Sequence, residues 1–183
     1  MSKAPKGEFR SCLGSCATFM TVLIAIPIVI VCCISCISCA TPTIRMRLHI
    51  NNRIGIEIPA SSTIEYTDTH GGFHGDGTLF AKVTFSEKGA TKTIKKIKKK
   101  GWDALPLDDY LHAMFYGSEI DGVTYGYHLS DEAGIPKVEN GYWFFKDRHR
   151  ETDKNFSERY SYNFTVAIFD LDTNILYFYE LDT

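Results

Sequence analysis

Between Ser11 and Ile44 the chain carries no Asp, Glu, Lys or Arg, and that gap limits its architecture more than any other feature. Residues 17–40, ATFMTVLIAIPIVIVCCISCISCA, are uncharged and mostly apolar. As a helix rising ~1.5 Å per residue they would reach ~36 Å, enough to cross a ~30 Å hydrocarbon core with some tilt. A helix apolar on every face is poorly suited to a small domain's interior, and Pro27 is tolerated mid-span as a kink. The expectation is a short basic tail at 1–16, a single transmembrane helix acting as signal anchor at 17–40, and a domain at 43–183.

The six cysteines, Cys12, Cys16, Cys32, Cys33, Cys36 and Cys39, all lie in this first part. The steps Cys33-x-x-Cys36-x-x-Cys39 resemble the start of a ferredoxin cluster run, but Thr43 stands where the fourth ligand belongs. The sequence LGSC at 13–16 has the form of a lipobox without the preceding apolar run that a signal requires. An uncleaved anchor is therefore favoured over a processed lipoprotein, with Cys36 and Cys39 as lipidation candidates in a host that S-acylates juxtamembrane thiols. Lys3, Lys6 and Arg10 on one side of the span are matched by Arg45, Arg47 and Arg53 on the other, so charge does not fix orientation. A short tail inside and a large domain outside is the usual arrangement of a signal anchor.

Totals of 20 basic and 22 acidic residues, less Lys3, Lys6, Arg10 and Glu8, leave 17 and 21 in residues 45–183. A formal charge of −4 argues against general nucleic-acid binding. That part is free of cysteine, so it must fold on a hydrophobic core without disulfides.

Alternation of Ile44, Met46, Leu48 and Ile50 predicts a strand over 43–50, and Ile54, Ile56 and Ile58 predict a second over 53–59, joined at Asn51-Asn52. Further strands are expected at 62–68, 78–86 and 122–130. EKGATKTIKKIKKK (87–100) reads as a helix opened by Ser86 and closed by Gly101, and a short helix is expected near 107–116. ENGYWFFKD (139–147) begins at a turn, and YNFTVAIFD (162–170) with ILYFYELDT (175–183) forms a hairpin rich in β-branched and aromatic residues. With no repeated βαβ alternation, the fold class expected is α+β: a mainly antiparallel β-sheet with one or two helices, preceded by the transmembrane helix.

ENGYWFFKDRH, NFTVAIFDLDTNILYFYELDT and DTHGGFHGDGT together resemble an uncharacterised family of small membrane-anchored proteins from Gram-positive Firmicutes. The resemblance covers residues 43–183. It implies a lineage and little mechanism, with no activity, substrate or cofactor.

Four side chains in YTDTHGGFHGDG, namely Asp68, His70, His74 and Asp76, include two imidazoles and two carboxylates suited to zinc or a similar divalent metal. The competing and favoured reading is a glycine-rich turn, because no remote ligand is identifiable and H-x-x-x-H lacks a metalloprotease's helical Glu. On the 87–100 helix, like-charge pairs such as Lys92/Lys96 and Lys95/Lys99 each cost ~0.2–0.5 kcal/mol. Acidic groups of the same domain are the first candidates to offset this repulsion. Anionic lipid headgroups contacting Lys92, Lys95, Lys96 and Lys99 are the second, at ~1 kcal/mol per residue.

Asp147, His149 and Glu151 alternate in KDRHRE but have no accompanying nucleophile, and solvated strand-end charges are favoured there. The aromatics of YWFF and YFY divide between the two faces of their strands, which favours core packing over a ligand platform. No P-loop, dinucleotide fingerprint or nucleophile elbow is present.

The function expected is non-catalytic binding by an extracytoplasmic module on a membrane anchor. Its partners would be the lipid bilayer and another envelope protein, with no nucleic acid and no cofactor. The alternatives are a metal-dependent enzyme or metal sensor built on the 68–76 loop, and a cytoplasm-facing regulator whose lysine helix lies on the inner leaflet.

Overall fold

The run NFTVAIFD buries nearly all of its residues, which a strand achieves only when both its faces are covered. In the computed structural model it lies inside a six-stranded sheet with helices on both sides. The structure describes residues 26–27, 41–71, 75–125, 128–149, 156 and 159–183. In chain order the elements are α1 (Pro42–Ile54), β1 (Thr63–Asp68), β2 (Gly77–Thr84), α2 (Glu87–Lys100), β3 (Asp103–Ala104) and α3 (Asp109–Tyr116). There follow β4 (Ser118–Ile120), β5 (Val123–Tyr125), α4 (Leu129–Ala133), β6 (Gly141–Asp147), β7 (Asn163–Asp170) and β8 (Ile175–Asp182).

The chain divides into two compact units, residues 1–45 and 46–183. Apart from Ile26 and Pro27, the 17–40 segment expected to span the membrane, with Cys36 and Cys39, lies outside the described residues. Among the described residues no helix is long and apolar enough to cross a membrane.

The sheet runs β1-β2-β8-β7-β6-β3, and every pairing is antiparallel. The expected α+β class with a mainly antiparallel sheet is therefore what the chain forms. On β8, Leu176 and Phe178 join β2, β7, α1 and α2 in one core cluster, while Tyr177 and Tyr179 join α3 and α4 in another. The β7–β8 hairpin is closed by Asp170, whose carboxylate accepts from Asp172 N at 2.8 Å and Thr173 Oγ1 at 2.6 Å. Asn174 takes the left-handed conformation there, φ 56°, which Asn tolerates better than most side chains.

Helix α2 has the limits expected of it. Ser86 Oγ accepts from Gly89 N, and Gly101, at φ 72°, ends the helix. Its inward face is Ala90, Thr93 and Ile97. Helix α3 starts where the Asp108 carboxylate caps Leu111 N at 2.8 Å.

Two expectations are corrected. Residues 43–50 and 53–59 are not strands. Residues 42–54 form α1, and 56–59 carry no regular secondary structure. Met46, Ile50 and Ile54, spaced four apart, are buried, whereas Ile44 and Leu48 are 44% and 56% exposed. Strand alternation would have placed all of Ile44, Met46, Leu48 and Ile50 on one face, so the deciding period is four rather than two. Pro42 at the start and Gly55 (φ 66°) just past the end are ordinary helix boundaries. The second correction concerns 122–130. Strand β5 covers only Val123–Tyr125 and pairs with β4 across Asp121-Gly122, while Leu129–Ala133 is helical. Positive φ at both Asp121 (51°) and Gly122 (77°) fits the two-residue hairpin turn that Asp-Gly favours.

Candidate functional site

Two polar features sit on opposite faces of the sheet. On the α1 side, Glu180 of β8 is 2% exposed, and an unpaired carboxylate at such depth would be neutralised. Here it is surrounded by donors. His49 Nε2 lies 2.5 Å from Oε2, Arg53 Nε lies 2.9 Å from Oε1, and Thr165 Oγ1 donates to Oε1 at 2.7 Å. His49 and Arg53 come from successive turns of α1, and Thr165 from β7. Arg148, just past β6, approaches Glu180 Oε1 at 3.6 Å and pairs with Asp182 Oδ1 at 2.8 Å. Burial pushes the Glu180 carboxyl up, but the hydrogen bonds from His49 and Thr165 and the charges of His49 and Arg148 outweigh it, holding the group below its ordinary value. A carboxylate kept ionised and saturated by donors is a poor general base. Its role is to tie α1 to the centre of the sheet.

The chain of contacts continues to the residues of the 68–76 loop. Asp182 Oδ2 lies 3.2 Å from His70 Nε2, close enough for an ion pair though not aligned as a hydrogen bond. The other ring nitrogen, Nδ1, lies 2.8 Å from Asp68 Oδ1, which also accepts from His70 N at 3.0 Å. Partial burial raises the Asp68 carboxyl, and these contacts with His70 bring it below its usual value. The structure therefore brings Asp68 and His70 together and adds Asp182, a remote partner that the sequence does not reveal. Asp76 is exposed, and His74 lies outside the described residues. Among the described residues no group of three or more His, Cys, Asp or Glu is arranged to hold a metal ion.

The remaining sequence candidates are dispersed. Lys96 Nζ pairs with Glu57 Oε2 at 3.2 Å and donates to Glu57 O at 3.0 Å, while Lys92, Lys95 and Lys99 are exposed. Asp147 is engaged by Arg159 at 2.5 Å, and Glu151 lies outside the described residues. Strand alternation divides the aromatics: Tyr142 and Phe144 pack on the α1–α2 side, and Trp143 and Phe145 on the other.

The opposite face holds a half-open cleft of about 430 Å³ between α4 and the β1–β2–β8 end of the sheet. Phe80 and Tyr179 contribute aromatic rings from the sheet, and Thr67, Thr69 and Thr78 contribute hydroxyls. Asp131 and Glu132 line it from α4. Tyr179 is 2% exposed, and its hydroxyl has no hydrogen-bond partner among the described residues. Leaving such a group unpaired costs about 1–3 kcal/mol. Burial, with a smaller contribution from the Glu132 charge, pushes the Tyr179 phenol up to about 12. This cleft escapes sequence reasoning because Tyr179 and α4 are far apart in the chain. The one local signal of α4 is Gly134, whose left-handed backbone (φ 65°) caps its end.

Fold and cleft together define an α+β domain, an antiparallel sheet between two pairs of helices, with a small-molecule-sized recess facing α4. Neither protein-family models, nor curated proteins, nor solved structures contain a match to this chain.

Proposed function

We propose that the chain is a single-pass, N-terminally anchored envelope protein whose C-terminal domain acts outside the cytoplasm by binding rather than by catalysis. The anchor rests on the charge-free 17–40 segment. The observation that carries the binding role is the α4 cleft. Its volume falls in the range of ligand pockets, and it combines aromatic floor, hydroxyl walls and a carboxylate rim. Among the described residues, the groups lining it include no Ser, Cys or Lys nucleophile paired with a base. The test has two arms. In intact cells or wall-stripped protoplasts, protease should digest the 46–183 unit while a cytosolic control survives. Protection until the membrane is broken would place the unit inside and refute the location. A fragment screen against the full chain, read by NMR at labelled Thr and Tyr, should give hits that shift Thr78 and Tyr179. A screen with no shift at the cleft would refute the binding role.

One observation favours a second reading, in which the 68–76 loop holds zinc: Asp68 orients His70 through Nδ1, while Nε2 makes no hydrogen bond and faces the Asp182 carboxylate at 3.2 Å. In that case the full chain purifies with stoichiometric zinc that His70→Ala removes. Folded, metal-free protein from zinc-replete medium would eliminate this reading.

A further inference from the structure

The cleft between α4 and the sheet has a distinct chemical bias, and from it we infer that the ligand is a small organic ammonium. The inference rests on the binding role proposed above. Its carboxylates, Asp131 and Glu132, are the charged groups of the lining, and among the described residues no Lys, Arg or His lines it with them. His128 lies 3.9 Å from Asp131, at the outer limit of an ion pair, and both side chains are largely exposed. The recess is thus electronegative, which disfavours phosphate, sulfate and carboxylate ligands.

A bare divalent cation fits less well than an organic one. Asp131 and Glu132 are adjacent on a helix, and adjacent helical side chains diverge rather than converge on one ion. The floor is aromatic. Phe80 and Tyr179 are lining residues, and an ammonium group within about 6 Å of an aromatic ring is attracted to its face. The buried Tyr179 hydroxyl supplies the second, independent observation: an oxygen without a partner among the described residues, on a side chain that lines the cleft. An ammonium N–H donates to that oxygen, and because the phenol can equally give its own O–H to an anion, it is the carboxylate rim that excludes anions. Thr69 and Thr78 are already linked through Thr69 Oγ1, at 3.2 Å between hydroxyls and 2.8 Å from Thr78 N. They hold the wall in place, and the Tyr179 hydroxyl is the group left without a partner among the described residues.

The experiment titrates the full chain, in nanodiscs of phosphatidylglycerol so that no lipid headgroup carries an ammonium, with n-butylammonium chloride. n-Butanol and glucose serve as neutral comparators. Saturable shifts at Tyr179 and Thr78 are expected from butylammonium, with roughly tenfold weaker binding of butanol and a clear loss of affinity at high salt. The double variant D131N/E132Q should weaken butylammonium binding about tenfold. Tyr179→Phe should weaken it about threefold, with thermal melts of both variants confirming that they fold. Equal binding of butanol and butylammonium, or a response to glucose alone, would overturn the ammonium inference while leaving the binding role standing. If neither these probes nor any fragment of the screen shifts the cleft, both fall.

Discussion

Glu180→Ala is expected to lower stability at pH 7 by about 3 kcal/mol, the range found when one partner of a buried charge group is removed. His49 and Arg53 have side chains more than a third exposed and can return to water, and Arg148 keeps Asp182. Those escapes hold the loss at the lower end of the range. The pH dependence follows from the depressed Glu180 carboxyl. A group bound more tightly as its anion in the folded state stabilises the fold fully above its unfolded value of about 4.3. That contribution disappears as pH falls through the lower folded value. The gap in urea midpoint between wild type and Glu180→Gln should therefore be widest near neutrality and close below the ordinary carboxylate range. Asp68 titrates in the same direction. Equal midpoints at pH 7, or a gap unchanged in acid, would show that the cluster does not tie α1 to the sheet through charge.

The second large effect is steric. A Cβ on Gly141 would lie 2.0 Å from Phe169 O and 3.0 Å from Phe169 C, with Leu105 Cδ1 at 3.4 Å on another side. The obstruction is the backbone of the neighbouring strand, which cannot rotate away as a side chain would. Gly141 opens β6 opposite Asp170, and Leu105 N donates to its carbonyl at 3.1 Å. Gly141→Ala thus forces β6 away from β7 and should cost about 3 kcal/mol, the upper range for overpacking a dense interior. Gly101→Ala is the control. Its Cβ would meet nothing within 4 Å, and only its left-handed backbone opposes the change, at about 1 kcal/mol. If chemical denaturation ranks the two variants the other way, the β6–β7 approach is looser than described.

The sequence disclosed those elements whose signals are local. Ser86 and Gly101 bound α2 because capping satisfies backbone groups within a turn of the helix end. The β7–β8 hairpin was legible because its strands are adjacent and uniformly β-forming. Helix α1 was misread because isoleucines at 44, 50 and 54 with Met46 satisfy a period of two almost as well as a period of four. Propensity does not separate the two when the residues are β-branched. Misreading α1 also hid the polar cluster: on a strand His49 and Arg53 are merely two of several charges, and on a helix they stack one turn apart over Glu180. The remote pairing of His70 with Asp182 follows from β2 lying beside β8. No local pattern encodes that adjacency. The lysine face was read as needing compensation, and Glu57 supplies part of it through Lys96.

The position of β8 between β2 and β7 has a consequence for biogenesis. Strand β2 lies about a hundred residues before its partner, and until β8 is made its only strand neighbour is β1. Contacts of such separation close late, because loop-closure entropy is lost before they form. During synthesis the β1–β2 hairpin, α2 and β6 would remain without the central strand that joins them. For the export of this domain proposed above, this ordering is an advantage. The segment in transit has no finished sheet to obstruct passage, and the domain can close once its last strand has emerged.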